Sequence, residues 1–425
     1  MISPAQGQAL GAASDTSDHV HRIIETLASD DMRGRSALSI ADITKAADFI
    51  AGEFREIGLV PYAEDDYRQS FQTSRSKLLH QTVRLADTVL QANQYLIVGD
   101  GPNESWSQND SVKSITIGSQ EDFSQAFRNI LQQTEGNTVV WVDPIHATYL
   151  ARFKQIFSRE SIKIVGEDAN TSPNTKVFIV AHQEPKQFLI EIEREKTEFP
   201  MFNVAGILPG KSKPNEYVVF SCHYDHIGII DAVGTDSIAN GADDDASGTT
   251  AMIELARYFQ QQDINERTLI FVAFTAEEIG MFGSKYFSHQ IDPDSVIAMI
   301  NIEMIGKDSK FGPNSLYITG YDASDLGSIM QQNVQGSNFS FHPDPYPTQN
   351  LFYRSDNAVL AALGVPAHTF STSQIDKDSY YHTVKDEVST LNIDHIRSSI
   401  EAIALGVKGI VNGSQTPSRV EKLRD

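Results

Sequence analysis

The chain has 425 residues, which suggests about two or three domains, and 40% of its residues are hydrophobic, ample material for a core. Lys and Arg number 34 against 56 Asp and Glu, so the formal net charge is −22. Such an acidic surface disfavours nucleic acid and anionic membranes as partners, because both are bound through positive charge.

Cysteine usage and hydropathy narrow the class of protein further. Cys222 is the single cysteine, so no disulfide framework forms within the chain, and the redox compartment stays open. The sequence has no run of about 18 apolar residues, and we expect no membrane span. The opening MISPAQGQALGAAS lacks the basic and apolar regions of an intact signal peptide and is compatible with the start of a mature chain.

Residues 15–80 are predicted to form the first part of the main domain. Within them, residues 41–57 place apolar side chains at helical spacing, and Gly58 follows as a stop signal. Residues 81–195 have a different pattern, in which short apolar runs such as NTVVWVD and KVFIVA alternate with helical patterns such as DFSQAFRNILQQ. We interpret this segment as an inserted, smaller α/β subdomain that carries no catalytic motif.

Residues 196–413 are predicted to form the rest of the main domain. The runs EYVVFSCHY, RTLIFVAFT and SVIAMINIEM indicate strands, while SGTTAMIELARYFQQQ and IDHIRSSIEAIALGVKGIV indicate helices. Near-continuous apolar strands between helices imply a sheet that is covered on both faces. The expected fold class is therefore α/β, with a mixed, largely parallel central sheet flanked by helices, and residues 414–425 are expected to be a flexible tail.

Polar side chains collect where the predicted strands of this domain end. HYDH follows the first strand and supplies His223 and Asp225, AEE follows the second and supplies Glu277 and Glu278, and Glu303 ends the third. Ligands of open α/β sheets bind beyond the carboxyl ends of the strands. Imidazole and carboxylate groups with open positions are the ligands of catalytic zinc, and a carboxylate-rich set also suits two metals that share one carboxylate.

Two further segments complete this set. NGADDDASGTT, residues 240–250, places three aspartates side by side, and YYHTVKDE, residues 380–387, supplies His382. Thr383 and Asp386 have the spacing of a helix-start capping pair. Each motif alone also fits an ordinary role, such as a solvated loop or a charged helix N-terminus. Ordinary roles do not explain all the motifs together, because Glu303 would then be an unpaired carboxylate at the end of an apolar strand, which is energetically costly.

Two other catalytic or binding motifs lack residues that they require. The sequence contains no Gly-x-Ser-x-Gly, so a nucleophile elbow is excluded. GILPGKS is similar to the end of a phosphate-binding loop, but the first glycine of that motif would have to be residue 205, which is Ala205.

The motifs HYDH, NGADDDASG, FTAEEIGMFGS, NIEMIG and YYHT, in that order, resemble the zinc-dependent exopeptidases typified by bacterial leucyl aminopeptidase. That family also includes glutamate carboxypeptidases and glutaminyl cyclases. The resemblance covers roughly residues 20–75 and 200–412, and LASDDMRGR is similar to the family's entry segment. It implies an aminopeptidase that takes peptide substrates and hydrolyses their N-terminal residues with a water activated by two zinc ions per chain.

The resemblance assigns the metal ligands by position. Five residues are implied: His223, Asp244, Glu278, Glu303 and His382. His223 and Glu303 would bind one zinc ion, Glu278 and His382 the other, and Asp244 would bridge both.

The resemblance also implies roles around these ligands. Glu277 would be the general base and later the general acid, and Tyr381, in preference to Tyr380, would donate to the oxyanion. Asp225 and Asp245 would contact the ligands rather than the metals, with Asp225 accepting the second N–H of the first histidine ligand. The peptide bond between the second and third aspartates of NGADDDASG is expected to be cis. His226 is interpreted as a neighbour of the site.

Two positions depart from the family's pattern. Many relatives have Asp where this chain has Glu303, and the extra methylene bears on metal distances and on the affinity of the second metal site. Many relatives also carry Ser-Asp-His in the later loop, where this chain has Asn357 in RSDNAVLAALGVPAHTF. Asp356 is expected to lie just outside the metal ligands.

Three alternatives share the scaffold. A glutaminyl cyclase-like acyltransferase would use one zinc ion, and a carboxypeptidase for acidic C-terminal residues would need a basic pocket, for which Arg354 is a candidate. A non-catalytic binding protein is disfavoured, because every ligand position carries a suitable residue. The resemblance implies a periplasmic or secreted location, and the oligomeric state stays open.

Overall fold

The computed structural model describes residues 13–63, 66–133, 135–157, 160–166 and 175–423. The helices in this part of the chain are α1 (Ala13–Leu27), α2 (Ile40–Ile57), α3 (Phe123–Gln133), α4 (Ala147–Phe157), α5 (Gly248–Gln262), α6 (Phe282–Gln290), α7 (Leu326–Asn333), α8 (Ala358–Ala362) and α9 (Ile393–Val411). The strands are β1 (Val60–Pro61), β2 (Arg68–Leu85), β3 (Thr88–Val89), β4 (Tyr95–Val98), β5 (Glu104–Ser107), β6 (Lys113–Ile117), β7 (Thr138–Val142), β8 (Ser161–Ile164), β9 (Lys176–Val180), β10 (Phe188–Leu208), β11 (Lys213–His223), β12 (Gly228–Val233), β13 (Asp236–Ala239), β14 (Arg267–Phe274), β15 (Val296–Ile302), β16 (Ser315–Ile318), β17 (Ser340–Pro343) and β18 (Ala367–Ser371).

The chain forms two compact units. The larger one combines the described residues through Ser70 with those from Met201 onward, and the smaller one is Phe71–Pro200. The predicted insert, residues 81–195, lies within the smaller unit, which begins earlier and ends later because β2 and β10 are longer than their apolar runs.

The larger unit contains a mixed sheet with the strand order β17-β16-β18-β15-β11-β14-β10. Strands β18, β15, β11 and β14 run parallel to one another, whereas β10 and β16 pair antiparallel with their neighbours β14 and β18. Every residue of β14 is buried, as expected of a strand covered on both faces. This architecture confirms the predicted fold class.

Alternation along the central strands divides the core of the larger unit into two layers. Val218 and Phe220 of β11 pack in the layer that holds the apolar faces of α1, α2, α5 and α9. Val219, between them, packs in the opposite layer with Phe287 of α6 and Leu360 of α8. Helices therefore cover both faces, and the carboxyl ends of β15, β11 and β14 lie side by side at one edge of the sheet.

The smaller unit has its own sheet, with the order β4-β9-β7-β6. One face packs Val140 and Phe178 against Phe127 of α3 and Leu150 of α4. The other face carries the buried Trp141, which packs with further apolar strand residues of the same unit. The smaller unit thus alternates buried strands with helices, which is the α/β pattern predicted for the insert.

The C-terminal segment differs from the flexible tail expected for residues 414–425. Its described part, through residue 423, is held by hydrogen bonds from the main chain of Val420 to Gly364 and of Leu423 to Ala362. The Arg419 guanidinium donates to the carbonyl oxygen of Val296, and the Val420 side chain is buried. This polar sequence packs because its backbone finds partners on the main domain, a feature that composition alone does not reveal.

Among the described residues, none of the helices is both long and apolar enough to cross a bilayer.

Candidate metal centre

The loop that joins β13 to α5 brings the three adjacent aspartates into the interior. Asp243, Asp244 and Asp245 are all buried, and the peptide bond between Asp244 and Asp245 is cis, as expected. Asp243 accepts a hydrogen bond from the backbone N–H of Gly306, and Asp245 accepts them from Gly248 and other backbone groups. The outer aspartates therefore fix the loop, which leaves the middle carboxylate free of backbone partners.

Asp244 lies between two histidines that come from different ends of the domain. Its Oδ1 is 3.2 Å from Nε2 of His223, at the end of β11, and its Oδ2 is 3.3 Å from Nε2 of His382. Two ligand atoms of one tetrahedral zinc, each about 2.0–2.1 Å from the ion, lie roughly 3.3 Å apart. Each oxygen of Asp244 therefore faces one imidazole at a separation that fits a shared metal ion.

Four metal-binding side chains lie within 4.8 Å of one another: His226, Asp244, Glu278 and His382. Glu278 follows β14, and its Oε2 is 2.9 Å from Nε2 of His382. Its other oxygen, Oε1, is 2.7 Å from Nδ1 of His226. The structure thus brings together three of the predicted ligands and adds His226, which the sequence had suggested only as a neighbour.

His223 is oriented by its own strand end. Its Nδ1 lies 3.1 Å from the main-chain oxygen of Asp225, while the Asp225 carboxylate is 4.0 Å away and accepts the backbone N–H of Glu277. The expectation that the Asp225 carboxylate receives the imidazole proton is therefore corrected, because the tight turn after β11 presents the carbonyl group instead. In the neutral ring, Nδ1–H donates to that carbonyl group, which leaves Nε2 without a proton and available as a ligand.

Glu277 and Glu303 line the same cavity as Asp244. Glu303 follows β15, and Glu277 follows β14, so the two reach the cavity from strands on either side of β11. Glu303 does not belong to the four-residue group within 4.8 Å that the described residues form. The structure therefore brings Glu303 to the cavity wall, next to the cluster rather than within it.

The cavity continues away from the acidic groups. Tyr381 stacks on His382, with ring centroids 3.8 Å apart, and forms part of the wall. Met304, Leu351 and Ile375 provide apolar surface, and Arg354 adds one cationic side chain that is exposed to solvent. Hydroxyl side chains also line the cavity, so a ligand here would meet carboxylates, apolar surface and the hydroxyl groups of Thr319, Ser355, Thr369, Ser371 and Ser373.

Asp386 has a different role from the one its spacing suggested. Its carboxylate accepts the backbone N–H groups of Asp243 and Asp244, at 3.0–3.1 Å, and the next helix is a short 3-10 helix that begins only at Val388. Thr383 instead donates its hydroxyl to the Tyr380 carbonyl. Thr383 and Asp386 therefore do not form the helix cap that their spacing resembles, because a local spacing cannot reveal that a distant loop supplies the N–H groups.

The later loop separates Asp356 from Asn357. The Asn357 amide donates to the carbonyl oxygens of Phe352 and Ala367 and accepts from the Thr369 hydroxyl, so it stabilises the loop. The Asp356 carboxylate is fully buried, and burial raises its pKa to about 8. Neither of its oxygens has a hydrogen-bond partner among the described residues.

The electrostatic field of the site favours positive charge. Burial raises the pKa of Glu277 well above its ordinary range, and the Glu303, Asp356 and Glu278 carboxylates add to that effect. Burial lowers the pKa of His382, but Asp244 and Glu278 outweigh it and raise that pKa to about 10. Such a set of buried carboxylates is stabilised by cations, whether these are protons or metal ions.

Buried polar atoms that lack hydrogen-bond partners indicate whether these residues fit zinc. Nε2 of His223, Nε2 of His382 and Oδ2 of Asp244 are buried, and among the described residues none of them has a hydrogen-bond partner in good geometry. Buried polar atoms without partners are rare unless a ligand or water satisfies them. Imidazole nitrogens and carboxylate oxygens converging in this way are a donor set that zinc binds, so the residues fit.

Comparison with known proteins addresses the family. Residues 203–407 match the family model described as peptidase family M28. These residues belong to peptidase family M28. They include every side chain of the metal centre described above.

Relatives with curated descriptions are similar to this chain over part of its length. A leucine aminopeptidase 1 of Ajellomyces capsulatus (strain H88) is 29% identical over 223 residues, which are 48% of this chain and 56% of that protein. The chain spans about half the length of the curated relatives it matches.

The fold is similar to that of solved aminopeptidase structures. An aminopeptidase from Aneurinibacillus sp. strain AM-1 has a TM-score of 0.55 and 18% identity, covering 96% of this chain and 95% of that one. A zinc aminopeptidase from Bacillus subtilis has a TM-score of 0.56 and 15% identity, covering 94% and 96%. At these identities the likeness concerns the fold.

Sequence reasoning missed Arg35 as a structural element of the M28 site. Its guanidinium is fully buried and donates to the carbonyl oxygens of Tyr224, Asn240 and Gly241. It thereby ties the HYDH strand end to the aspartate loop. The signal was the second arginine of LASDDMRGR, which lies 189 to 206 residues from these partners in sequence.

Proposed function

We propose that the chain is a zinc-dependent aminopeptidase, which releases N-terminal residues from peptides and holds two zinc ions per chain. The observation that carries this proposal is Asp244, whose two oxygens face His223 and His382 at 3.2 and 3.3 Å. One carboxylate shared between two imidazoles is the arrangement that a pair of metal ions requires. The membership of residues 203–407 in peptidase family M28 supports the same conclusion.

The ligands divide around the shared carboxylate. His223 and Glu303 would hold one ion and Glu278 and His382 the other, with Asp244 contributing to both. When bound, the ions supply Lewis-acid polarisation of the scissile carbonyl group and a water of lowered pKa. Glu303 reaches the cavity wall on one more methylene than the aspartate that many relatives have, so we expect its ion to be held more weakly.

Glu277 is the residue proposed to move protons. It lies at the cavity wall, and its backbone N–H is anchored to the Asp225 carboxylate at 3.1 Å. Burial raises its pKa, which makes the carboxylate a better proton acceptor near neutral pH. It would take a proton from the attacking water and return it to the leaving amine. Tyr381, in the same wall, would donate its hydroxyl to the developing oxyanion.

The substrate is proposed to be a peptide with a free N-terminus. Its α-ammonium group carries a positive charge, which suits a cavity end lined by Glu277, Glu303 and Asp244. Met304, Leu351 and Ile375 offer apolar contact for the side chain of the first residue. We therefore expect uncharged, apolar N-terminal residues to be preferred.

A substrate panel tests this function. The chain is assayed with zinc and after chelation on aminoacyl-p-nitroanilides, on the same compounds with an acetylated N-terminus, and on a Gln-peptide. We expect cleavage that needs zinc and a free N-terminus. Cleavage of blocked substrates, release of C-terminal residues or formation of pyroglutamate would each contradict aminopeptidase activity, and a metal-free, inactive chain would indicate a binding protein.

The location is proposed to be periplasmic or secreted. The support is the resemblance to exported exopeptidases, and the helices of the described residues include no membrane span. Fractionation of the native host with an antibody against the chain checks this, and recovery in the cytoplasmic fraction would contradict it.

A further inference from the structure

His226 is the one histidine of the cluster that the expected ligand set does not use. It is fully buried, with Nδ1 2.7 Å from Oε1 of Glu278 and 3.8 Å from Oδ2 of Asp244. We propose that His226 is a positioning residue that holds Glu278 by one oxygen and so makes it bind zinc through the other oxygen alone. This proposal rests on the zinc centre proposed above.

The two oxygens of Glu278 face different histidines. Oε1 faces Nδ1 of His226, and Oε2 faces Nε2 of His382 at 2.9 Å. An ionised carboxylate only accepts hydrogen bonds, so Nδ1 of His226 must be the donor in the 2.7 Å contact. That length is typical of a strong, charge-assisted hydrogen bond. Oε2 is then the free oxygen, and it points to the side of the predicted ligands.

Several contacts hold the His226 ring, while its Nε2 is buried and has no hydrogen-bond partner among the described residues. Its backbone N–H donates to the carbonyl oxygen of Arg35 at 3.3 Å, and its ring meets that of His382 edge-on, with centroids 5.6 Å apart. The ring also lies against Gly241, where an added Cβ would be only 2.6 Å from its Cγ and Cδ2 atoms. Gly241 has a φ of +56°, so both space and backbone favour glycine there. The glycine of NGADDD therefore leaves the space that the second histidine of HYDH needs beside Glu278.

This arrangement has a consequence for metal binding. A glutamate that binds through both oxygens occupies two positions around an ion, whereas one held back by a hydrogen bond occupies a single position. Groups that contact metal ligands in this way tune affinity by about 10–100-fold. His226 would thus keep a position open for substrate at the ion that Glu278 and His382 hold.

The alternative is that His226 itself is a fourth direct ligand of that ion, which would leave no open position for substrate.

The test uses two substitutions of nearly equal shape. His226→Asn places an amide nitrogen two bonds from Cβ, as Nδ1 is, and so keeps a donor toward Glu278, while His226→Leu has the same branching without a donor. Zinc-free protein is titrated with zinc against a chromogenic chelator to obtain both affinities. The Co²⁺-substituted forms are compared by visible absorption, which reports the number and type of ligands.

We expect His226→Leu to weaken one zinc site about 10–100-fold, and His226→Asn to remain within about threefold of the wild type with an unchanged Co²⁺ spectrum. His182→Leu, at an imidazole that is 83% exposed in the smaller unit, is the matched control and should bind zinc normally. Thermal unfolding of the zinc-free proteins verifies that all variants fold.

Two outcomes would overturn the positioning role. If Asn is as poor as Leu and both change the Co²⁺ spectrum, His226 is a direct ligand. If neither variant alters the affinity of either site, the hydrogen bond has no influence on the metals. A wild-type chain that binds no zinc at all would instead refute the proposed function, so the two failures are distinguishable.

Discussion

Glu277 is the residue on which the proposed chemistry depends most directly. Glu277→Gln keeps the size of the side chain and its place at the cavity wall but removes the proton acceptor. We expect kcat to fall about 10²–10⁴-fold with little change in KM, which is the usual contribution of a positioned general base. Zinc content should be unchanged, because Glu277 is not among the proposed ligands.

The control for this substitution is Glu401→Gln, at an exposed position of α9. It makes the same chemical change far from the cavity lining and should leave both kcat and zinc content at wild-type values. Near-normal turnover by Glu277→Gln would show that another group moves the proton.

At the residue scale, the sequence predicts side chains whose position follows from a strand end. His223, Glu278 and Glu303 are examples, because a strand that stops at the sheet edge delivers its next residues there whatever the rest of the chain does. The contacts that His226 and Asp386 make were not predicted. Their partners are a side chain 52 residues away and backbone N–H groups more than 140 residues away. Such contacts depend on tertiary structure and leave no local spacing in the sequence.

At the scale of elements, the aspartate loop is held by a charge network behind the metal centre. The Lys307 ammonium group is 2.7 Å from Asp378, 3.3 Å from Asp243 and 3.7 Å from Asp386. Burial lowers the pKa of Lys307, but these carboxylates outweigh it and raise that pKa to about 12. Burial raises the pKa of Asp243 to about 7 and also raises that of Asp386, and the Lys307 ammonium group opposes both shifts.

Removal of that cation should destabilise the loop. Lys307→Met keeps the aliphatic stem but leaves Asp243 and Asp386, both fully buried, without a counter-charge. Breaking a buried ion pair from one side costs about 3–5 kcal/mol, and we expect a loss of this order in the free energy of unfolding by urea. Zinc affinity should fall as well, since Asp386 orients the backbone of Asp244.

The matched control is Lys408→Met on the exposed face of α9. It should change the free energy of unfolding by less than about 0.5 kcal/mol, as is usual for surface substitutions. If both variants unfold at the same urea concentration, Lys307 contributes no more to stability than an exposed lysine, and the network does not stabilise the loop.

Element identities were largely predictable, whereas unit boundaries were not. Apolar periodicity located α2, α5 and α9, because each buries one continuous stripe in the core. The limits of the insert were displaced because β2 and β10 continue as strands through polar sequence, in which hydrogen bonding rather than hydropathy maintains the pairing. The packed C-terminal segment was missed for the same reason.

At the scale of the whole molecule, a buried histidine away from the metal centre couples stability to pH. His368, in β18, is fully buried and stacks on Phe352, with ring centroids 5.3 Å apart. Its Nδ1 donates to the carbonyl oxygen of Thr319, and its Nε2 accepts from the Ser324 hydroxyl, so the neutral form satisfies both nitrogens. Burial lowers the pKa of His368 to about 4, despite the opposing effect of the Thr319 hydrogen bond.

The sign of the pH dependence follows from linkage. The unfolded chain protonates this histidine near its ordinary pKa of about 6.5, and the folded chain only near 4, so between these values the unfolded state binds more protons. The stabilisation is therefore complete above the unfolded pKa and is lost as pH falls toward the folded pKa. From pH 7 to pH 5 this one group should lower the free energy of unfolding by about 2 kcal/mol.

His368→Asn isolates that contribution, because asparagine keeps a donor near the Nδ1 position but does not titrate. We expect the variant to be less stable at pH 7, since the contacts with Ser324 and Phe352 are lost, yet to lose about 2 kcal/mol less than the wild type between pH 7 and pH 5. Urea unfolding of zinc-loaded protein at both pH values measures this difference, and metal-ligand titrations cancel in the comparison. His182→Asn, at an exposed site, should follow the wild-type slope. Parallel slopes for wild type and His368→Asn would mean that His368 is protonated equally in the folded and unfolded states, which its burial opposes.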